Sequence, residues 1–254
     1  MSVPASLQEP NMPEDTELLE AVRLSLRREP RLGPGLHLKR IEPAGEGAVI
    51  VEAEVERVAQ KKIALERAAA VKGVSGIVDR IRVRPGSEMS DADIRAHLCK
   101  QLSGDRAFGA ASISEKADER VRTVRPGPEG SREHIVVEAH DGVVVLTGQV
   151  PGLASKRLAG VLAWWVPGSR DVVNGLAVEP EEEDGPDRIE EGVRIALERD
   201  PFVDPGRIRA GVRERTVRLT GLVTSREERN MAEADAWYVF GVDDVINEIE
   251  VAQL

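Results

Sequence analysis

The side chains best able to do chemistry are four histidines, His37, His97, His134 and His140, and one cysteine, Cys99. None of the histidines has a metal-ligand partner at helical spacing, and there is no His-Glu-x-x-His sequence. His134 and His140 are six residues apart on one expected strand, where they share a face that water reaches. Cys99 lies between Leu98 and Lys100 on the first helix of the second repeat. A half-buried structural thiol is expected there, since nothing nearby would lower its pKa. One cysteine also excludes an intramolecular disulfide and a multi-cysteine metal site. The Gly-x-Gly pieces at 33–35 and 45–47 lack the strand, glycine loop and helix of a phosphate cradle. Catalytic residues, cofactors and bound metals are therefore expected to be none, and the chain is read as a non-enzyme.

Binding chemistry is better represented. All three tryptophans and the one tyrosine fall in two adjacent pairs, Trp164–Trp165 and Trp237–Tyr238. Neighbours on a helix point about 100° apart, so one of each pair can face a core while the other lies outward. They are read either as packing between domains or as aromatic anchors for a membrane interface or a partner. Arg207, Arg209, Arg213, Arg215 and Arg218 alternate with apolar residues and would cover one sheet face. That face is read as a solvated surface that discourages edge pairing, or as a site for lipid phosphate or another anion. From Asp187 onward the acids outnumber the arginines by fifteen to ten, which weakens the anion reading. Val136, Val143 and Val145 also fall on an outward sheet face. A large apolar patch is rarely left in water, so they are expected to pack against another domain or another chain.

The elements that would carry these residues recur three times. Aligned on Gly73, Gly168 and Gly241, the chain places Ile77, Val172 and Val245 four residues on, and Val83, Val178 and Val251 ten on. Val55, Val150 and Val223 lie eighteen residues before. Upstream, Leu18/Val22/Leu26, Ile94/Leu98/Leu102 and Ile189/Val193/Leu197 each form one helical stripe. Ser90 with Asp93, and Asp187 with Glu190, fit helix N-terminal signatures. Alternating runs follow, with Asp141–Gly142 a strong hairpin signal between two of them. Paired alanines, Ala64/Ala68, Ala159/Ala163 and Ala232/Ala236, then mark a second helix lying close on a sheet. The glycine after it suits a left-handed cap. Each repeat reads helix, strand, strand, helix, strand.

This pattern resembles the BON domain family (the bacterial OsmY and nodulation domain). The residues that carry the resemblance are Val144–Val150, as Val-Val-Leu-Thr-Gly-Gln-Val, and Val217–Val223, as Val-Arg-Leu-Thr-Gly-Leu-Val. The closing segments Gly168–Val178, with Val172 and Asn174, and Gly241–Val251, with Val245 and Asn247, complete it. Repeat 1 departs, with Ala53 for the glycine and Asp79 for the asparagine. The resemblance implies an α+β fold of three tandem αββαβ domains, each a three-stranded mixed sheet with two helices on one face. It also implies a binding or scaffold role in an envelope or stress setting, with phospholipid association leading. A protein-interaction or self-assembly module is the first alternative, and binding of potassium or another cation the second.

Composition agrees with a set of small domains. The chain has 254 residues, 41% hydrophobic and 31% charged, with aromatics at 3%, so its cores must be aliphatic. A net charge of −10 argues against nucleic acid as a partner. No apolar run spans a bilayer, and the first residues do not read as a secretory signal. The cytoplasm is the simplest compartment, or the periplasm if a leader has been removed. The expected layout is a disordered segment over 1–14, repeat 1 over 15–84 and repeat 2 over 90–179. Repeat 2 carries an insertion of 22 residues within 103–134, expected to be disordered. An acidic linker over 180–186, expected to be solvated and to let repeat 3 move, precedes repeat 3 over 187–254.

Overall fold

The computed structural model describes residues 12–252, which form a mixed α+β fold with six α-helices and three mixed sheets. The chain divides into two compact units, Met1–Arg84 and Pro85–Leu254. The disordered segment expected over 1–14 lies outside the described residues as far as residue 11, but a helix already starts at Met12.

The first unit runs α1 (Met12–Arg28), β1 (His37–Pro43), β2 (Ala48–Val55), α2 (Val58–Ala69) and β3 (Gly76–Val83). Its sheet order is β1-β2-β3, antiparallel then parallel. Strand β2 alternates strictly between buried and half-buried residues, as one core-facing side demands. Val22 and Leu26 of α1 and Ala64 and Ala68 of α2 are fully buried beneath it.

The second unit holds two sheets. The C-terminal one repeats the first unit's plan with α5 (Pro186–Arg199), β10 (Ile208–Arg213), β11 (Thr216–Val223), α6 (Arg226–Tyr238) and β12 (Asp244–Val251), in the order β10-β11-β12. Helix α5 starts at Pro186 with Gly185 as its N-cap, so Asp187 lies in the first turn instead of capping it. Ser90 does cap α3 (Asp91–Gly104), accepting from the Asp93 N–H.

The middle sheet is larger than expected. After α3 come β4 (Ser112–Ala117), β5 (Arg120–Arg125), β6 (His134–His140), β7 (Val143–Val150), α4 (Leu153–Trp165), β8 (Asp171–Asn174) and β9 (Ala177–Val178). Strands run β5-β4-β6-β7-β8, with β9 also on β7. The insertion expected to be disordered is instead the β4–β5 hairpin, added to the sheet edge parallel to β6. Its order has a source. Phe108, Ala111 and Ile113 enter the core, and the Arg125 guanidinium donates to the carbonyls of Ser103 (2.8 Å), Ala111 (2.7 Å) and Phe108.

Two sequence signatures acquire physical reasons. Gly148 and Gly221 sit at φ 126° and 145°. A Cβ there would lie 2.1 and 2.0 Å from the carbonyl oxygens of His134 and Arg207 on the neighbouring strand, so only glycine fits. In the first unit the register slips between Leu38 and Arg40, beside the partner of Ala53, and a side chain is accommodated. The second signature concerns the free edge of the last strand. Asn247 accepts from the Ile249 N–H (3.1 Å), while Arg229 of α6 donates to the carbonyls of Ile249 (3.0 Å) and Asn247 (3.1 Å). In the first unit Asp79 accepts from the Ile81 N–H (2.8 Å), and Lys61 reaches both Asp79 (2.6 Å) and the Ile81 carbonyl (2.7 Å). Edge groups that would otherwise recruit another strand are thus satisfied internally. An aspartate can stand for the asparagine because a lysine ammonium neutralises it.

Candidate functional site

Three surfaces hold the residues singled out from the sequence. The aromatic pairs come together where α4 meets α5 and α6. The Trp164 and Tyr238 rings stack, with centroids 6.1 Å apart and planes 14° from parallel. Trp165 donates its indole N–H to Asp235 Oδ1 (3.0 Å), and Trp237 is buried. All four side chains are thus engaged in packing within this unit, between the middle and C-terminal sheets' helices or beneath them.

The same contact holds a fully buried arginine that sequence reasoning missed. Arg157 of α4 donates to the Phe240 carbonyl (2.9 Å), the Arg188 carbonyl (3.2 Å) and Asp184 Oδ1 (2.6 Å). Glu182 accepts from the Leu153 N–H at the start of α4 (2.9 Å). The acidic linker expected to be solvated and mobile is largely exposed, but Glu182 and Asp184 tie it to α4, and both sheets belong to one compact unit. Arg199 completes the contact by pairing with Asp105 (2.9 Å). Only chain context distinguishes Arg157 from a surface arginine, since the equivalent position of the first unit is the ordinary Lys62.

Asp235 was also missed, although an acid among the alanines of α6 was the available signal. It is 2% exposed, and its Oδ2 has no hydrogen-bond partner. Burial pushes its carboxyl up to about 8, the neighbouring Asp200 carboxylate adds to this, and the Trp165 N–H opposes it. Burial, with both aspartates nearby, likewise raises the Tyr238 hydroxyl.

The second surface is the outer face of the C-terminal sheet. Cross-strand rows there are Arg209–Thr220–Glu248, Gly211–Arg218–Ile246 and Arg213–Thr216–Asp244. Residues of these rows on β10 and β11, with Glu214 of the turn and Ile246, line an open depression of about 780 Å³, at which Gly211 presents no Cβ. All five expected arginines are exposed, but three are neutralised. Arg207 pairs with Asp204 (3.0 Å), Arg215 with Asp243 (2.9 Å) and Arg218 with Glu248 (2.5 Å). Arg209 and Arg213 form no ion pair among the described residues and flank the depression.

The third surface is the outer face of the middle sheet. Val136, Val143 and Val145 are half-buried there. Val145 lies beside Val173, which is 49% exposed, and Val121 at the hairpin edge is 58% exposed. A Lys116–Glu138 pair (3.1 Å) crosses the same row.

The remaining reactive groups are quiet. Burial pushes the Cys99 thiol up to about 12. All four histidines are exposed. Asp91, His140 and Asp141 converge at the β6–β7 turn, but the Asp91 carboxylate already accepts the N–H groups of Asp141 (3.0 Å) and Gly142 (2.9 Å). No helix among the described residues is long and apolar enough to cross a membrane.

A family model described as the BON domain matches residues 127–180 and 186–253. Those segments are the middle sheet from the end of its inserted hairpin, and the C-terminal sheet with its helices. No curated protein matches the chain. Similar solved structures include two of CdsD, a structural protein of the type III secretion system of Chlamydia trachomatis. The first, its C-terminal domain, is 12% identical, covers 97% of this chain and 100% of that one, and has a TM-score of 0.24. The second is also 12% identical, covers 93% and 92%, and has a TM-score of 0.24.

Proposed function

We propose that this chain is a non-enzymatic binding protein that attaches to anionic phospholipid head groups through the arginine face of its C-terminal sheet. The carrying observation is the unpaired couple Arg209 and Arg213 on either side of Gly211, with Ile246 exposed beside them. Two cations across an open surface suit phosphate oxygens, and an apolar neighbour suits the head-group boundary. The BON match supports this reading, because the family is linked to phospholipid binding. We also read residues 15–84 as a third, divergent BON copy, on the strength of a strand order that repeats that of the C-terminal sheet.

Flotation with phosphatidylglycerol and phosphatidylcholine vesicles tests the site. The expected result is binding to the anionic vesicles only, weakening as salt shortens the electrostatic range. Arg209→Glu with Arg213→Glu should reduce that binding at least tenfold, while Trp164→Ala leaves it in place. Equal binding by the double variant would overturn the arginine site. A second reading, assembly through the middle sheet, is favoured by Val121 and Val173, which face water on one valine-rich surface. A solution mass above that of one chain, without vesicle binding, would select it.

A further inference from the structure

We propose that Asp235 and Asp200 share one proton in the folded chain, and that losing it loosens the contact of α6 with α4 and α5. The two carboxyl groups lie within hydrogen-bonding reach of each other, 2% and 7% exposed. Two carboxylates can bond to one another only through a proton. One shared proton also supplies the partner that Asp235 Oδ2 otherwise lacks. Both groups have their other atoms committed. Asp235 Oδ1 accepts from Trp165 on α4 (3.0 Å), and Asp200 Oδ1 accepts from the Phe202 N–H (2.8 Å).

Among the described residues, no cation is a cause of the Asp235 shift. From α5 the group facing Asp235 is Asp200, from α4 the neutral Trp165 indole, and from α6 itself the Tyr238 hydroxyl. Arg199, next to Asp200 in sequence, is turned away to Asp105. Arg157, the cation buried in the same interface, is bound to Asp184 and two carbonyls. When the proton leaves for solvent, two buried anions face each other across the helix contact. That contact also holds the Trp164–Tyr238 stack, so the rings are what a loosened contact would uncover.

The direction follows from linkage. An unfolded aspartate releases its proton near pH 4, whereas folded Asp235 holds it to about 8. Between those values the folded chain binds a proton that the unfolded chain has lost, so stability is greatest on the acid side and falls as pH rises through the window.

The test is a pH series from 5 to 9 on the full chain, following thermal midpoint and tryptophan emission. The wild type should lose thermal stability across the range and change its tryptophan emission with it. Asp235→Asn, which keeps the shape without the titrating proton, should flatten both responses. Asp200→Asn gives Asp235 an amide donor and should move the transition acid-ward by at least one pH unit. A flat wild-type profile, or a wild-type profile in Asp235→Asn, overturns the proposal. If Asp235→Asn does not fold, an unmoved transition in Asp200→Asn overturns it. All other groups are common to every variant, so the differences isolate the aspartate pair.

Discussion

Cys99 shows how far burial, here helped by the nearby Glu115 carboxylate, decides chemistry. The thiol lies in the core of the middle sheet among Ile94, Leu98 and Leu102. It makes a weak donation to the Ser114 carbonyl at 3.9 Å. With the thiol pushed up to about 12, thiolate is scarce at neutral pH, and only thiolate attacks a disulfide reagent. Labelling of the native chain with a chromogenic disulfide at pH 7.5 should therefore proceed no faster than the protein opens, and urea should accelerate it. Rapid stoichiometric labelling without denaturant would contradict the burial. The helix that carries this residue was legible in the sequence, but its depth was not: it reads as half-buried and is 1% exposed, because it lies beside the Ile94/Leu98/Leu102 stripe and the inserted hairpin's strand covers it. The protonation of Asp235 was not legible either, because it depends on Asp200, 35 residues away along the chain.

Elements were legible where apolar spacing was strict. The three first-helix stripes and the three alanine pairs all lie on helices as read, because one buried side imposes its period on the sequence. The β4–β5 hairpin escaped because its strands carry little apolar periodicity. Strand β5 is exposed along most of its length, and much of what orders the hairpin is a single arginine. Arg125 donates to three backbone carbonyls, of which that of Phe108 also accepts the Ala111 N–H. Arg125→Ala should lower the protection of β5 amides against hydrogen exchange by about 2 kcal/mol, the scale of buried groups losing a charged donor. Strands β10 to β12 should be unchanged. Uniform loss across the unit would show that the hairpin is part of one cooperative core instead of an appended edge.

At the scale of the whole molecule, the sequence repeats imply separable beads, while the two sheets of the second unit share one folded body. The C-terminal core includes Val161 and Trp165 of α4, which belong in sequence to the preceding sheet. Adjacent aromatic residues do not reveal whether they face a neighbour or water, so the sequence left packing between domains and outward anchoring both open. Arg157 is the residue on which the shared body turns, since α4 supplies the guanidinium while Phe240, Arg188 and Asp184 supply the acceptors. Arg157→Met retains much of the side-chain volume but leaves two carbonyls and a carboxylate without their donor. Asp184 is 36% exposed and water can take the place of the guanidinium there, so the cost is that of the lost charged hydrogen bonds to the two carbonyls, about 2 kcal/mol. In urea, the variant should lower the unfolding midpoint of the 85–254 unit, with its two sheets still melting together, while the transition of the 1–84 unit stays in place. Separate melting of the C-terminal sheet in the wild type would show instead that the shared core is too weak to couple them.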